Sequence, residues 1–348
     1  MAAAIRRTSL NHSGEKNLNM MSVRLLQWRS ALRPPRQREK PVAALDPVDE
    51  LRHVPGTEEL WNESYYFDWF SEDGSLGGYL RVGLYPNLDR VWYWACVVGP
   101  DRKLITVIDH EVPLPSGNGL ELRANGLWAD HVIEEPTGRM SVALESFALQ
   151  LDSPEQVYGE FVGDRIPFGF ELEWETDRAG YLWPPVTPRY EIPCRVHGVV
   201  SIGDERIEVD AWGQRDHSWG ASRDWWTNTW CWSAGRLSDG TRFHTAGAFF
   251  ADSNWGVAYV LDPDSSEFQE FDQVHVEADL DTNGFALSAQ LEFGGLDLAV
   301  EPLAWSPVLL EHIDGRKARF PRALARFTAQ DGRSGFGWIE FNQPPATA

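Results

Sequence analysis

Val196-His197-Gly198-Val199-Val200-Ser201-Ile202, then Gly203-Asp204, then Glu205-Arg206-Ile207-Glu208-Val209-Asp210-Ala211, is two runs of strand length joined by a turn dipeptide. The first run is apolar and β-branched, the second alternates polar and apolar residues, and together they read as an antiparallel hairpin. The same grammar holds in both directions. Val91–Val98 and Phe285–Phe293 have strand length and composition, and further turn dipeptides stand at Asp73-Gly74, Asn125-Gly126, Asp239-Gly240, Asn283-Gly284, Gly294-Gly295, Asp314-Gly315 and Asp331-Gly332. Helical 3.6-residue patterning is nearly absent, Pro321–Ala329 being the one short ambiguity. Hairpin signals this regular imply closed or nearly closed antiparallel sheets. The fold class is all-β.

Pro184, Pro185, Pro188 and Pro193 interrupt the pattern over Tyr181–Pro193, where central strands do not tolerate proline. The expected organisation is therefore a leader over 1–45 and two antiparallel β-barrel domains in tandem, 46–192 and 193–348. The leader holds nine Lys and Arg against Glu15 and Glu39, lacks strand pattern, and reads as disordered or as a start called too early. The whole chain has a formal charge of −21, so the body is strongly acidic and unsuited to nucleic acid or anionic membranes. No apolar run approaches the roughly 20 residues of a membrane helix. Cys96, Cys194 and Cys231 are too few and too scattered for a disulfide framework or a CxxC metal site; reduced core thiols in a cytoplasmic protein are expected. HExxH, paired-histidine spacing, a nucleotide-binding glycine loop and G-x-S-x-G are all missing, so no metal and no cofactor is expected.

Tryptophan is the compositional outlier. Of 17 in the chain, Trp212, Trp219, Trp225, Trp226, Trp230 and Trp232 fall within 21 residues. Among them lies Gln214-Arg215-Asp216-His217-Ser218-Trp219-Gly220, followed by Arg223-Asp224-Trp225-Trp226. A turn here could bring Asp216, His217, Arg223 and Asp224 to one spot. A carboxylate beside aromatic surface has a raised pKa and can donate a proton; an adjacent arginine does the opposite. The aspartate farther from the arginines is then the better acid, and Arg–Asp pairs pinning a loop to a barrel rim are the competing structural reading. If Asp239-Gly240 is a two-residue turn, Trp230 and Trp232 share one hairpin face with Gly247 and Phe249, while His244, Ala246 and Ala248 lie on the other, small-sided face, which leaves room for a ligand. A one-residue slip would reverse every assignment.

The run Arg189-Tyr190-Glu191, Gly213 through Gly220 and Arg223-Asp224-Trp225, with Gly335-Phe336-Gly337-Trp338-Ile339-Glu340, resembles the hydroxyneurosporene synthase (carotenoid hydratase) superfamily. That superfamily also takes in tocopherol-cyclase-like and Diels–Alderase-like proteins, and the resemblance is closest to bacterial members of unknown function. It implies two lipocalin-like barrels with a hydrophobic ligand at or near their interface. It further implies a cofactor-independent hydratase, dehydratase or cyclase acting on a terpenoid, steroid or other lipid-like substrate. Asp216, or Asp224 if Asp216 pairs with Arg215, would protonate a C=C bond; His217 would orient or relay the proton and Arg223 would fix the neighbouring carboxylate. Trp219, Trp225 and Trp230 would shield the carbocation, since indole faces stabilise cations best among side chains. Trp212, Trp232, His244 and Tyr190 complete the expected substrate-binding set. A non-catalytic lipocalin-like carrier of hydrophobic molecules is the alternative, which needs only the cavity.

Overall fold

Arg189–Ile202 and Glu205–Gly220 form one long hairpin, paired from Ile202↔Glu205 to Arg189↔Ser218, with Gly203 in the turn at φ 57°. The structure, a computed structural model, describes residues 24–29, 45–221, 224–249, 254–312 and 314–344. Beyond the hairpin, Glu205–Gly220 pairs with Asn62–Phe70, and the sheet continues through Gly77–Tyr85, Arg90–Val98, Leu104–Val112, Arg139–Leu151 and Asp164–Thr176. Asp164–Thr176 then pairs back onto Arg189–Ile202, which closes an eight-stranded antiparallel barrel. A barrel of this size is filled by its own side chains; here Tyr65, Phe67, Val82, Tyr93, Trp174 and Val196 contribute. A second, ten-stranded antiparallel sheet takes nine strands from between Thr229 and Asn342 and one, Arg24–Arg29, from the start of the chain, and curls around Phe243, Leu291, Phe327 and Ile339. The fold is all-β and lipocalin-like, and among the described residues no helix is long and apolar enough to cross a membrane.

Three expectations need correction. The boundary at 192/193 falls inside Arg189–Ile202, and the chain passes between sheets only after Gly220. Pro193 is tolerated because its carbonyl accepts from Asp177 N, on the side away from Glu205–Gly220. A residue's N and O share a side of a strand, so the missing N–H removes nothing from the pairing with Gln214. Within the expected leader, Arg24–Arg29 pairs along His275–Leu280 as an edge strand of the second sheet; the rest of 1–44 lies outside the described residues. The ambiguous Pro321–Ala329 is strand from Arg322 to Ala329.

The two sheets pack face to face. Asn62–Phe70 and Gly77–Tyr85 are buried along their whole length, because odd residues of the first and even residues of the second point into the barrel while the alternate ones meet the second sheet. Val91–Val98 reads as a continuous apolar run for the same reason. Opposite it, the Thr229–Leu237/Arg242–Phe249 hairpin has Trp230↔Ala248, Trp232↔Ala246 and Ala234↔His244 in register. Leu237 N donates to Thr241 O across a three-residue loop, Ser238-Asp239-Gly240, with Gly240 at φ 93°. The extra loop residue shifts the register by one from that of a two-residue turn, so the expected faces are reversed. Trp230 and Trp232 share a face with His244, Ala246 and Ala248, and that face looks at the first barrel.

Candidate active site between the two sheets

Period-two alternation divides Gln214–Gly220 between two environments. The sequence allows a turn at the motif after a strand over 206–211, but Glu205–Gly220 is strand throughout, so neighbours in sequence point to opposite faces. Arg215 and His217 face into the barrel. Arg215 Nη1 donates to Glu50 Oε1 at 2.6 Å, and Tyr190 Oη donates to the same oxygen at 2.8 Å. His217 Nδ1 donates to the Asp49 carbonyl at 2.7 Å, and its Nε2 lies 3.1 Å from Glu63 Oε1. Asp49 and Glu50 belong to the 3₁₀ turn Pro47–Glu50, capped by Asp46, so this half of the motif pins the incoming chain into the barrel end. Trp219 stacks on His53 at 3.8 Å in the same cluster. Burial works to raise the Glu63 carboxyl, but hydrogen bonds from His217 and His53 outweigh it and hold it below its usual range. His53, Glu63 and His217 bring three possible metal-ligand atoms within 4.8 Å. They sit at hydrogen-bonding distances from one another, and the network accounts for them without an ion.

Gln214 and Asp216 face the other way, and Asp216 lines a cleft between the sheets with about 160 Å³ of free volume. That is ample for an organic molecule; an enclosed apolar cavity of similar size takes up benzene. Its walls carry Trp183, Trp225, Trp230, Trp232, Trp255 and Phe320, and among them stand Arg81, Arg189, Arg322, Asp216 and Glu340. Asp216 Oδ2 accepts from Arg189 Nη2 at 2.5 Å. Arg189 Nε donates to Glu191 Oε1 at 2.7 Å, and the fully buried Glu191 also receives Gln214 Nε2 and Trp232 Nε1. Glu340 pairs with Arg322, whose guanidinium rests on the rings of Tyr66 and Tyr79 at 4.2 and 4.5 Å.

Behind Tyr66, which lines the cleft, lies Asp68. Its Oδ2 accepts from Tyr66 Oη at 2.9 Å and its Oδ1 from Gln214 N at 2.9 Å. Burial pushes the Asp68 carboxyl up to about 7 despite these hydrogen bonds. A Cβ on Gly213 would stand 2.0 Å from the Asp68 carbonyl, so glycine is what lets the two strands close on this carboxyl. Asp68 thus carries its proton up to about pH 7, one hydroxyl away from the cleft.

Of the residues expected from sequence, Asp216, Trp225, Trp230 and Trp232 meet at the cleft. His217, Trp219 and Tyr190 do not; they face the barrel interior because they occupy the opposite parity. Asp224 lies in a turn where its Oδ1 accepts from Trp226 N, away from the cleft lining. Arg223 lies outside the described residues. Trp212 sits at the outer rim among Arg195, Arg236 and Arg242, with its Nε1 on Glu72. His244 is fully buried behind Trp232, its Nδ1 donating to the Ser233 carbonyl. Burial and Arg189 hold its ring well below the usual range, so it stays neutral at neutral pH. Sequence reasoning gave no role to Asp68, Arg81, Arg189, Arg322 and Glu340. The usable signal was a lone charge inside an apolar strand, as in Tyr65-Tyr66-Phe67-Asp68-Trp69-Phe70 and Gly78-Tyr79-Leu80-Arg81-Val82.

Residues 46–345 match the model of a domain of unknown function, DUF7064, across both sheets and the cleft. The chain belongs to the DUF7064 family. No curated protein matches this DUF7064 chain in sequence. Its fold recurs in a Nitrosomonas europaea protein provisionally described as AttH, 15% identical with a TM-score of 0.61, over 87% of this chain and 98% of that one. It recurs in CghA solved with Sch210972, at 11% identity and TM-score 0.58, over 92% and 98% of the two chains. Kievitone hydratase from Nectria haematococca is similar too, 10% identical with a TM-score of 0.59, over 91% of the DUF7064 chain and 98% of its own. At these identities the likeness establishes the shared architecture.

Proposed function

We propose that this DUF7064 protein is a cofactor-independent acid–base lyase or isomerase, a hydratase, dehydratase or cyclase, acting on a hydrophobic substrate held between the sheets. The observation that carries the reading is Asp68: a carboxyl raised to about 7 and joined through Tyr66 to a tryptophan-walled cleft. Asp216 accepts from Arg189 Nη2, and the ionised form that a guanidinium favours has no proton to give and can take one up. This reverses the role first expected for Asp216. In the hydration direction the Tyr66–Asp68 hydrogen bond reverses. Protonated Asp68 donates to Tyr66 Oη, which turns its own proton to one carbon of a C=C bond and takes the Asp68 proton as it gives it up. Burial keeps Tyr66 well above its usual pKa, so it passes a proton on only as it receives one. Water then adds to the cation and its surplus proton goes to Asp216; exchange with solvent restores both carboxyls. A cyclase would differ only in returning the proton to Asp216 from carbon. Trp225, Trp230 and Trp232 supply the indole faces that shield the cation. Kievitone hydratase on the same architecture makes the hydratase form the leading version.

The test begins with the molecule that co-purifies with the protein, extracted and identified by mass spectrometry. Returned to fresh protein in deuterium oxide, it should gain deuterium on carbon or the elements of water. Asp68→Asn should slow that change by a factor within the roughly 10²–10⁴ typical of general acids. A ligand recovered unchanged by the wild-type protein sinks the catalytic reading in favour of a carrier.

A further inference from the structure

Two guanidinium groups in the cleft wall have hydrogen-bonding nitrogens that no group among the described residues satisfies. Arg81 is 2% exposed and Arg322 4% exposed, and both line the cleft. Arg81 Nε and Nη1 and Arg322 Nε and Nη1 are buried and have no hydrogen-bond partner among the described residues. Among the described residues Arg81 makes one long hydrogen bond, 3.5 Å from Nη2 to Tyr85 Oη, and its guanidinium otherwise lies over Trp94 and Trp225 at 4.7 and 5.3 Å. Arg322 spends Nη2 on Glu340. Arg189, by contrast, has a carboxylate on each side. A guanidinium out of water with unmade hydrogen bonds is costly unless something answers it, and its planar fork is shaped for an oxygen pair. The charged side chains lining the cleft are Arg81, Arg189 and Arg322 against Asp216 and Glu340. With the buried Glu191 behind Arg189 the carboxylates equal the guanidiniums in number. But Asp216 and Glu191 are bonded to Arg189 and Glu340 to one nitrogen of Arg322, so among the described residues no carboxylate is bonded to Arg81.

We infer that the ligand of this cleft is an amphipathic organic anion, its carboxylate, enolate or phenolate oxygen held by Arg81 and Arg322 and its apolar body lying against the tryptophans. This refines the substrate class of the proposed function and rests on that reading's choice of cleft, though not on its chemistry.

The experiment uses the full chain and two probes of equal shape, 3-phenylpropanoate and the neutral 3-phenylpropanamide, titrated calorimetrically and by tryptophan fluorescence. Charge-assisted hydrogen bonds to the two guanidinium groups should favour the carboxylate roughly ten- to a hundredfold. Arg81→Gln and Arg322→Gln should each remove most of that preference while leaving amide binding nearly unchanged, and Asp68→Asn should keep it. Equal binding of the two probes, no carboxylate binding at millimolar concentration, or a preference that survives both arginine substitutions overturns the inference. If an arginine variant does not fold, the comparison of the two probes on the wild-type chain still decides. A carboxylate preference in a protein that leaves its own ligand unchanged would refute catalysis and keep the anion site, so the two readings fail separately.

Discussion

Glu50→Gln should cost far more folding stability than Asp216→Asn, although each removes one buried carboxylate facing an arginine. Arg215 is 2% exposed and reaches Glu50 Oε1 at 2.6 Å, while its Nε and Nη2 have no hydrogen-bond partner among the described residues. Glu50 is the one carboxylate at ion-pair distance from Arg215 among them. Neutralising it strands a buried guanidinium, which costs about 3–5 kcal/mol. Arg189 is placed differently. It bonds Asp216 at 2.5 Å and Glu191 at 2.7 Å, and its guanidinium lies 4.8 Å from the Trp183 ring centre. After Asp216→Asn the guanidinium keeps Glu191, and the asparagine oxygen still accepts from it. The loss is then that of weakening one charge-assisted hydrogen bond, at most about 1.5–3 kcal/mol. Urea unfolding followed by tryptophan fluorescence reads both values, with similar m for the two variants. Equal losses, or a larger loss for Asp216→Asn, would refute the division of the motif into a pinning face and a cleft face.

Folding raises Asp68 from 3.8 to about 7, so across that interval the folded state holds a proton that the unfolded state has released. Stability should therefore fall as pH rises from 3.8 to about 7 and level off above it, and the wild-type-minus-Asp68→Asn difference in unfolding free energy should trace that fall. A difference that does not change with pH would mean Asp68 titrates normally. At His53, burial works to lower the ring, but Glu63 and Asp49 outweigh it and raise it from 6.5. Its contribution is complete below 6.5 and lost as pH rises through the folded value, so His53→Gln should destabilise more in acid than in base. Gly240→Ala should cost about 1–2 kcal/mol, because the three-residue loop holds Gly240 at φ 93°; a neutral result in thermal melts would argue for a different hairpin loop.

Local signals settled most of the fold. Turn dipeptides and period-two composition are properties of neighbouring residues, and the hairpin over 189–220 pairs about its Gly203-Asp204 turn as they require. Composition marked the motif and its tryptophans but expected a turn where the chain runs on as strand, and of the residues it grouped Asp216, Trp225, Trp230 and Trp232 line one cleft. Local signals could not count loop residues at Ser238-Asp239-Gly240, and one residue there decided which hairpin face meets the cleft. Nor could they show that Pro193 lies on a side of its strand where no pairing donor is needed. Above all, the pairing of Asp216 with Arg189 rather than Arg215, and of Arg215 with Glu50, joins residues that are distant in sequence. Adjacent residues of a strand face opposite ways, so the contiguous string Arg215-Asp216-His217 is local only on paper. Which of its members meet a ligand, and which hold the chain end in the barrel, depends on what packs on each side of that strand. Only the tertiary structure supplies those two sides.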